Sequence, residues 1–270
     1  MYLYPFGQYC IMARRLGRRK MPDRDIHTEK ESDPTEGGVF NTKSMLSLHR
    51  LFNKHIIEKI EFPISTGKEA DVYLASAGSA EKVEGVRFVA LKFFRVESQS
   101  FGKMKRYIAG DPRFGKVRKG RITMINTWCE KEFWNLRIAK KAGARVPEPY
   151  FVSGSILAME FIGDENGIAS PRLKDAKVDE PDAMLKEIVR QAALLYSVGL
   201  VHADLSEFNI LVKGNRPYMI DIGQGVTLNH PESGVFIRKD MENITHYFAS
   251  KYGTTMSAEA ALEVVTSKRR

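Results

Sequence analysis

Two carboxylates and an amide lie close together in the second half of the chain. Asn209 follows Asp204 by five residues, and Asp221 lies near the end of a short apolar run. The runs 210–212 and 218–222 are joined through a glycine-asparagine pair, which predicts a β-hairpin with all three side chains at one end. Phosphoryl transfer uses such a set, because a carboxylate orients the nucleophile while hard oxygens hold Mg²⁺.

A polar turn between two core elements is the simpler explanation of such residues. A single acidic turn residue would favour it. Here, however, one residue separates His202 from Asp204, four residues separate Asp204 from Asn209, and Asp221 closes the second strand of the predicted hairpin. This spacing is uncommon in a plain turn, so the segment predicts a metal and phosphate site.

The N-terminal half contains residues that suit a nucleotide. The segment Ser65-Thr-Gly-Lys-Glu-Ala-Asp-Val-Tyr73 lies between two predicted strands, and its glycine lets backbone N–H groups approach phosphates. With one glycine it matches neither the Walker pattern nor a three-glycine loop, so alone it is a weak signal. Lys92 lies in the apolar strand 89–94, where it either faces water at a sheet edge or binds an anion. Because Asp204, Asn209 and Asp221 already predict a metal and phosphate site, we favour the second interpretation, in which Lys92 binds a phosphate.

The elements that must position these residues follow from apolar periodicity. Helices are predicted over 42–60, 128–142, 182–198, 240–252 and 257–266. Strands are predicted within 61–95 and over 150–153, 156–161, 210–212 and 218–222. Strands with one helix come first and mostly helices follow, which predicts an α+β protein in two lobes.

Positive charge is concentrated in one window without clear periodicity. Residues 92–121 hold ten Lys or Arg and only two acids, Glu97 and Asp111, so this window carries most of the formal net charge of +9. Residues 96–127 are therefore predicted to form a basic loop. It is either a solvated loop or a surface that binds a polyanion such as nucleic acid.

Composition excludes several classes of protein. The chain has 270 residues, 43% of them hydrophobic and 28% charged, which is typical of a globular protein. No apolar stretch is long enough to span a membrane, and two cysteines are too few for a disulfide framework. We expect no membrane association and a cytoplasmic location. Residues 1–41 are predicted to be a disordered basic and polar tail, with Met1, Met12 and Met21 all open as the natural start.

These motifs resemble the RIO family of atypical protein kinases, and specifically its first subfamily. The resemblance runs from Thr42 to Gly253. Its motifs are Ser65-Thr-Gly-Lys-Glu-Ala70, Arg106-Tyr-Ile-Ala-Gly-Asp-Pro-Arg-Phe114, Val201-His-Ala-Asp-Leu-Ser-Glu-Phe-Asn209 and Ile220-Asp-Ile-Gly-Gln224. The second subfamily carries an N-terminal winged helix, for which the residues before the first predicted helix are too few. The residues after Asp221 are too few for the activation loop and helices of an ordinary kinase.

The resemblance implies a two-lobed, protein-kinase-like fold. Residues 42–162 would form an N-lobe with a small antiparallel sheet, a preceding helix and the flexible basic loop 96–127. Residues 163–270 would form a mostly helical, truncated C-lobe without an activation loop. The chain departs from the family pattern at Asp71, where asparagine is usual, and at Gly223 and Gly225, where serines are common.

The resemblance also implies a role for individual residues. Asp204 would be the catalytic aspartate, and Asn209 and Asp221 would hold Mg²⁺ or Mn²⁺, with Asp221 also able to accept the phosphoryl group. Lys92 would bind the α- and β-phosphates of ATP and pair with Glu132, although Glu130 remains an alternative partner. The other expected nucleotide contacts are Ser65, Thr66, Gly67, Lys68, Glu69, Val72, Met159, Glu160, Ile162 and Ser206.

Two functions are compatible with these expectations. The first is an ATP-dependent serine/threonine protein kinase or ATPase acting in maturation of the small ribosomal subunit. The alternative is a nucleotide-gated assembly factor that binds pre-ribosomal RNA through the basic loop and turns over little ATP. Both imply ATP and a small-subunit precursor with its RNA as partners. The sequence leaves the protein substrate open.

Overall fold

The computed structural model describes residues 42–95, 101–109, 111, 113–114 and 120–267. The predicted tail 1–41 and parts of the predicted basic loop, 96–100, 110, 112 and 115–119, lie outside the described residues. The helices are α1 (Thr42–Asn53), α2 (Phe101–Ile108), α3 (Arg121–Lys141), α4 (Pro181–Ser197), α5 (Ser233–Tyr252) and α6 (Ala258–Ser267). The strands are β1 (Ile57–Thr66), β2 (Ala70–Ala77), β3 (Phe88–Phe94), β4 (Pro149–Ser153), β5 (Ile156–Glu160), β6 (Leu200–Val201), β7 (Ile210–Lys213), β8 (Arg216–Met219) and β9 (Val226–Thr227).

A five-stranded antiparallel sheet, in the order β1-β2-β3-β5-β4, forms the first lobe. Its central strand β3 is apolar almost throughout, because both of its faces are covered. Val89, Leu91 and Phe93 pack in the cluster that contains Leu48 and Leu51 of α1.

Lys92 belongs to the opposite face of the same strand. Its neighbours on that face, Ala90 and Phe94, pack in the cluster that contains Trp128 and Leu136 of α3. Since side chains alternate along a strand, the position of Lys92 in this apolar run directs its ammonium group toward α3.

The predicted helix over 42–60 is wrong in its last third. The helix ends at Asn53, His55 takes a left-handed conformation with φ of 52°, and the strand β1 begins at Ile57. Ile57 pairs with Ala77 of β2, so its β-branched side chain packs in the sheet rather than on a helix face.

Three other predictions differ from the structure, and in the first of them charged residues obscured an apolar stripe. Residues 96–127, predicted as a loop, include α2, in which Met104 and Ile108 are buried one turn apart while Lys105 faces solvent. The helix predicted to begin at residue 128 begins at Arg121. Similarly, α5 begins at Ser233 rather than residue 240.

Helices α4, α5 and α6 pack together in the second lobe, around fully buried residues such as Leu185, Phe248 and Val265. The two-stranded sheets β6–β9 and β7–β8 lie in the same lobe. The predicted β7–β8 hairpin turns at Gly214-Asn215, where both residues have positive φ, as the tight turn of a twisted hairpin requires. Only residues 222–232 separate Asp221 from α5.

The sheet of the first lobe and the helices of the second lobe together confirm the predicted α+β class.

Among the described residues, no helix is both long enough and apolar enough to cross a membrane.

The core of the second lobe provides a test of stability. Leu185 on α4 is fully buried, whereas Leu46 on α1 is 62% exposed. The variant Leu185→Ala should lower the free energy of unfolding by about 2–5 kcal/mol, because it leaves a cavity. The same truncation at Leu46 should change it by no more than ~0.5 kcal/mol. Chemical denaturation of both variants measures this, and equal losses would contradict the packing described.

Candidate active site

A cleft of about 660 Å³ collects residues from the sheet, from α3 and from the loops of the second lobe. It is lined by most of the predicted site residues, namely Ser65, Thr66, Gly67, Lys68, Glu69, Val72, Lys92, Glu132, Met159, Glu160, Ile162, Asp204, Asn209 and Asp221. Ser206 lies elsewhere. It lines a separate hollow beside Glu207 and residues of α5. The cleft therefore brings together predicted residues that are up to 156 positions apart in the chain, from Ser65 to Asp221.

The ammonium group of Lys92 lies at the centre of the cleft between two carboxylates. Its Nζ is 2.7 Å from each carboxylate oxygen of Glu132 and also pairs with Asp221. Glu132 is almost completely buried on α3, whereas Glu130 on the same helix is exposed. The helix thus directs Glu132, and not Glu130, at the lysine.

These contacts determine the charge states of the cluster. Burial lowers the pKa of Lys92, but the nearby carboxylates of Asp221 and Glu132 more than reverse this and raise that pKa above its usual value. Burial raises the pKa of Asp221, but the Lys92 ammonium more than compensates and holds it below its usual value. Burial raises the pKa of Glu132. At neutral pH Lys92 is therefore a fixed cation, and Asp221 is an anion whose side chain remains 41% exposed to the cleft.

Asp204 is held in place by a buried aspartate on α5. The carboxylate of Asp240 accepts hydrogen bonds from the backbone N–H groups of Ala203 and Leu205, both at 2.8 Å. Ala203 has a φ of 66°, a strained value for a residue with a Cβ, and the two hydrogen bonds stabilise it. Burial raises the pKa of Asp240 to about 7, although the two N–H donors oppose this. Asp240 is not among the residues that the sequence predicts for the site. The sequence signal for this role is weak, because Asp240 is simply the one acidic residue between the apolar Phe236 and Met241.

Asn209 connects the loop of Asp204 to the hairpin. Its Nδ2 donates to the Asp204 carbonyl oxygen at 2.9 Å and to the carboxylate oxygen Oδ2 at 3.0 Å. The backbone N–H of Ile220 donates to the Asn209 carbonyl oxygen at 2.9 Å, so Asn209 and Asp221 lie side by side. Burial raises the pKa of Asp204, and the Asn209 amide opposes that shift.

Two residues of α3 that are not among the predicted site residues bind the turn after Asp221. Lys131 donates to the carbonyl oxygens of Gly223, at 3.0 Å, and Gly225. Asn135 donates to the carbonyl oxygens of Ile222, at 2.8 Å, and Gly225, at 3.0 Å. Both side chains are fully buried. Burial lowers the pKa of Lys131 to about 7.

Glycine at position 223 matches this close packing. A Cβ there would lie 3.0 Å from Nε1 of Trp128 and 3.1 Å from the Glu132 carboxylate. The turn and α3 therefore approach each other closely behind the Lys92–Glu132 pair.

The polar groups of the cleft suit a nucleotide triphosphate with Mg²⁺. The Asn209 amide oxygen and the Asp221 carboxylate are hard oxygen ligands, and Lys92 is a fixed cation beside them. Within the described ranges, no group of three or more His, Cys, Asp or Glu side chains could hold a metal unaided. A metal at Asn209 and Asp221 would therefore share its coordination with phosphate oxygens and water, as Mg²⁺ commonly does.

His202 provides a test of how the free energy of unfolding depends on pH. It is buried, and its Nε2 donates to the Ile220 carbonyl oxygen at 3.1 Å. Burial lowers its pKa from 6.5 to about 4. The unfolded chain therefore binds a proton more readily between these values, and stability should fall by up to ~3 kcal/mol as the pH drops from 6.5 to 4.

The measurement is chemical denaturation across this pH range for the wild type and two variants. The loss of stability that His202 causes in the wild type between pH 6.5 and 4 should be absent in His202→Gln. His49→Gln changes an exposed histidine of α1 and should keep the wild-type pH dependence. If His202→Gln also keeps it, His202 is not the titrating group.

Comparisons with known proteins agree with this geometry. The family model described as the RIO domain matches residues 71–261. The chain is 33% identical to the RIO-type serine/threonine-protein kinase Rio1 of Haloferax volcanii, over 94% of this chain and 86% of that protein. It is 37% identical to the serine/threonine-protein kinase rio1 of Dictyostelium discoideum, over 88% of this chain but only 41% of that protein.

A solved structure has the same fold. It is the Rio2 kinase–ADP/Mg²⁺–phosphoaspartate complex from Chaetomium thermophilum, with a TM-score of 0.63 and 22% sequence identity over 85% of this chain and 69% of that one. This likeness confirms the predicted two-lobed, kinase-like fold. Together with the family model and the Rio1 relatives, it shows that the chain belongs to the RIO family of serine/threonine protein kinases.

Proposed function

We propose that this protein is an ATP-dependent serine/threonine kinase that also hydrolyses ATP, and that it acts in maturation of the small ribosomal subunit. The observation that carries the enzymatic part is the pairing of Lys92 with both Glu132 and Asp221 in the cleft that contains Asp204 and Asn209. The ribosomal role rests on the resemblance to the family and on the basic charge of the chain. A role on small-subunit precursors implies a cytoplasmic location.

Different residues of the cleft bind the phosphates, the base and the metal ion of Mg·ATP. Lys92 binds phosphate oxygens and is held in place by Glu132, while residues 65–69 line the part of the cleft where the phosphates would lie. Val72, Met159 and Ile162 offer apolar contact to the base. Asn209 and Asp221 would hold Mg²⁺ or Mn²⁺, which would partly neutralise the charge of the ATP phosphates.

Asp204 serves as the proton acceptor. Its carboxylate orients the hydroxyl of a serine or threonine and takes up the proton as the new oxygen–phosphorus bond forms and ADP leaves. When the nucleophile is water, the same step is ATP hydrolysis. A third nucleophile is the carboxylate of Asp221 itself, which would form an aspartyl phosphate that water then cleaves.

A second candidate function, a nucleotide-gated factor that binds pre-ribosomal RNA, is favoured by the basic window 92–121. Part of that charge is neutralised within the fold, because Arg106 pairs with Glu232 and Arg113 pairs with Asp111. Glu232 lies 126 residues from Arg106 in the sequence, so the charge pattern of the window alone does not indicate this pair. Lys116, Arg118 and Lys119 lie outside the described residues. The enzymatic proposal therefore has the stronger support.

Replacement of the proton acceptor tests the enzymatic proposal. Asp204→Ala should lower ATP turnover and phosphoryl transfer by ~10²–10⁴-fold, the usual contribution of a general base. ATP affinity should change little, because Lys92 and residues 65–69 are untouched. Turnover and nucleotide binding are measured with and without small ribosomal subunit particles.

Asp179→Ala provides a matched control, since this aspartate side chain is 57% exposed and lies outside the cleft lining. It should behave like the wild type. Stimulation of the wild type by the particles, absent in Asp204→Ala, would support the ribosomal role. Wild-type turnover by Asp204→Ala would refute the enzymatic assignment, and particle binding unaffected by nucleotide would refute the gated alternative.

Removal of a metal ligand tests the role of Asp221. Asp221→Asn should weaken binding of Mg·ATP more than binding of free ATP, because it removes an anionic ligand. Asparagine tolerates the left-handed backbone at this position, where φ is 59°. Calorimetric titration with and without Mg²⁺ measures the difference. An equal loss of ATP affinity with and without Mg²⁺ would contradict metal binding by Asp221.

The same variant tests the aspartyl-phosphate route. Wild-type protein incubated with γ-labelled ATP should carry a label that hydroxylamine releases, since an acyl phosphate reacts with hydroxylamine while a phosphoserine does not. Asp221→Asn should carry no such label. If the whole label survives hydroxylamine, the aspartyl-phosphate route is excluded and direct transfer to the acceptor remains.

A further inference from the structure

The two carboxylate oxygens of Asp204 have different surroundings. Oδ2 accepts hydrogen bonds from Nδ2 of Asn209, at 3.0 Å, and from Nε2 of Gln224, at 2.8 Å. Within the described part of the chain, no hydrogen-bond donor contacts Oδ1. One oxygen is therefore saturated with N–H donors, and the other is left for an incoming hydroxyl group.

The donors to Oδ2 come from different parts of the fold. Asn209 lies on the loop of Asp204 itself, whereas Gln224 lies 20 residues away, in the short 3-10 turn Ile222–Gln224 that follows Asp221. A single donor leaves a carboxylate free to rotate about its Cβ–Cγ bond. Two donors from separate segments fix the plane of the group, so Gln224 supplies the second constraint.

The backbone that carries Gln224 is unusually well anchored. The carbonyl oxygens on both sides of it, those of Gly223 and Gly225, accept hydrogen bonds from the buried Lys131, and Asn135 binds Gly225 as well. Because α3 holds this backbone, the Gln224 side chain reaches Asp204 from an anchored position.

We propose that Gln224 is a positioning residue for phosphoryl transfer: it holds Oδ2 of Asp204 and thereby directs Oδ1 at the acceptor hydroxyl. This inference rests on the proposed function, since it takes Asp204 as the proton acceptor. Gln224 follows Asp221 by three residues on an anchored turn, so it also sets the position of the proton acceptor relative to the metal ligand.

A size-matched variant separates positioning from packing. Gln224→Met keeps the bulk of the side chain and removes the N–H donor. It should lower kcat by ~10–100-fold, in the range expected for a misplaced catalytic group, with KM for ATP within about twofold of the wild type. The thermal midpoint should be unchanged, because Lys131 and Asn135 still hold the turn.

A second variant and a control complete the test. Gln224→Glu places a carboxylate against Oδ2 and should lower kcat at least as far as Gln224→Met. Gln191→Met removes a buried glutamine of α4 that binds the backbone N–H of Arg145 and the carboxylate of Glu187. It should lower the thermal midpoint and leave kcat unchanged.

The outcomes separate this inference from the proposed function. Wild-type kcat in Gln224→Met, with Asp204→Ala inactive, overturns the positioning role alone. Turnover by Asp204→Ala overturns the proposed function. A Gln224→Met protein that loses kcat only together with its thermal midpoint also overturns the positioning role, because Gln224 would then act through the stability of the turn.

Discussion

The structure depends on one buried cation. Lys92 lies in the centre of an apolar sheet with only 8% of its side chain exposed, and a lysine ammonium in such a position is unfavourable unless it is paired. Its two partners come from different places, Glu132 from the middle of α3 and Asp221 from the turn that follows the β7–β8 hairpin. Satisfying this charge therefore fixes the sheet, the long helix and the second lobe relative to one another.

Helix α3 extends this constraint because neighbouring residues on it face different parts of the site. Glu132 binds the lysine of the sheet, while Lys131 and Asn135 bind the backbone after Asp221. The three side chains lie within about one turn of the helix, so a movement of α3 would displace Lys92 and Asp221 together. The helix thus keeps Lys92 and Asp221 at a constant separation.

The sequence predicts the parts of the site that depend on local patterns. The apolar run of β3 singles out its one lysine, and the spacing of Asp204, Asn209 and Asp221 indicates the acidic cluster. Residues whose roles come from distant pairing were not predictable. Gln224 meets Asp204 over 20 residues and Asp240 meets Ala203 over 37, and neither pairing leaves a periodic signal.

The errors in the predicted elements have the same origin. The apolar residues of 54–60 fit a helix as well as a strand, and only pairing between Ile57 and Ala77 decides between them. Helix α2 was missed because its lysines and arginine dominate the composition of a short segment, while Met104 and Ile108 show their burial only once α3 packs beside them. Local propensity is weak in both cases, and tertiary contacts decide the outcome.

The central carboxylates share one further property, which is that each depends on a left-handed backbone position. Ala203, just before Asp204, and Asp221 itself have φ of 66° and 59°. Such conformations persist only where the surroundings hold them. Here Asp240 from α5 binds the backbone on both sides of Asp204, and Lys131 and Asn135 from α3 bind the turn after Asp221. Loops carry these two carboxylates, while buried polar residues on helices hold those loops in their strained form. The precision of the site therefore resides in side chains that do not line the cleft.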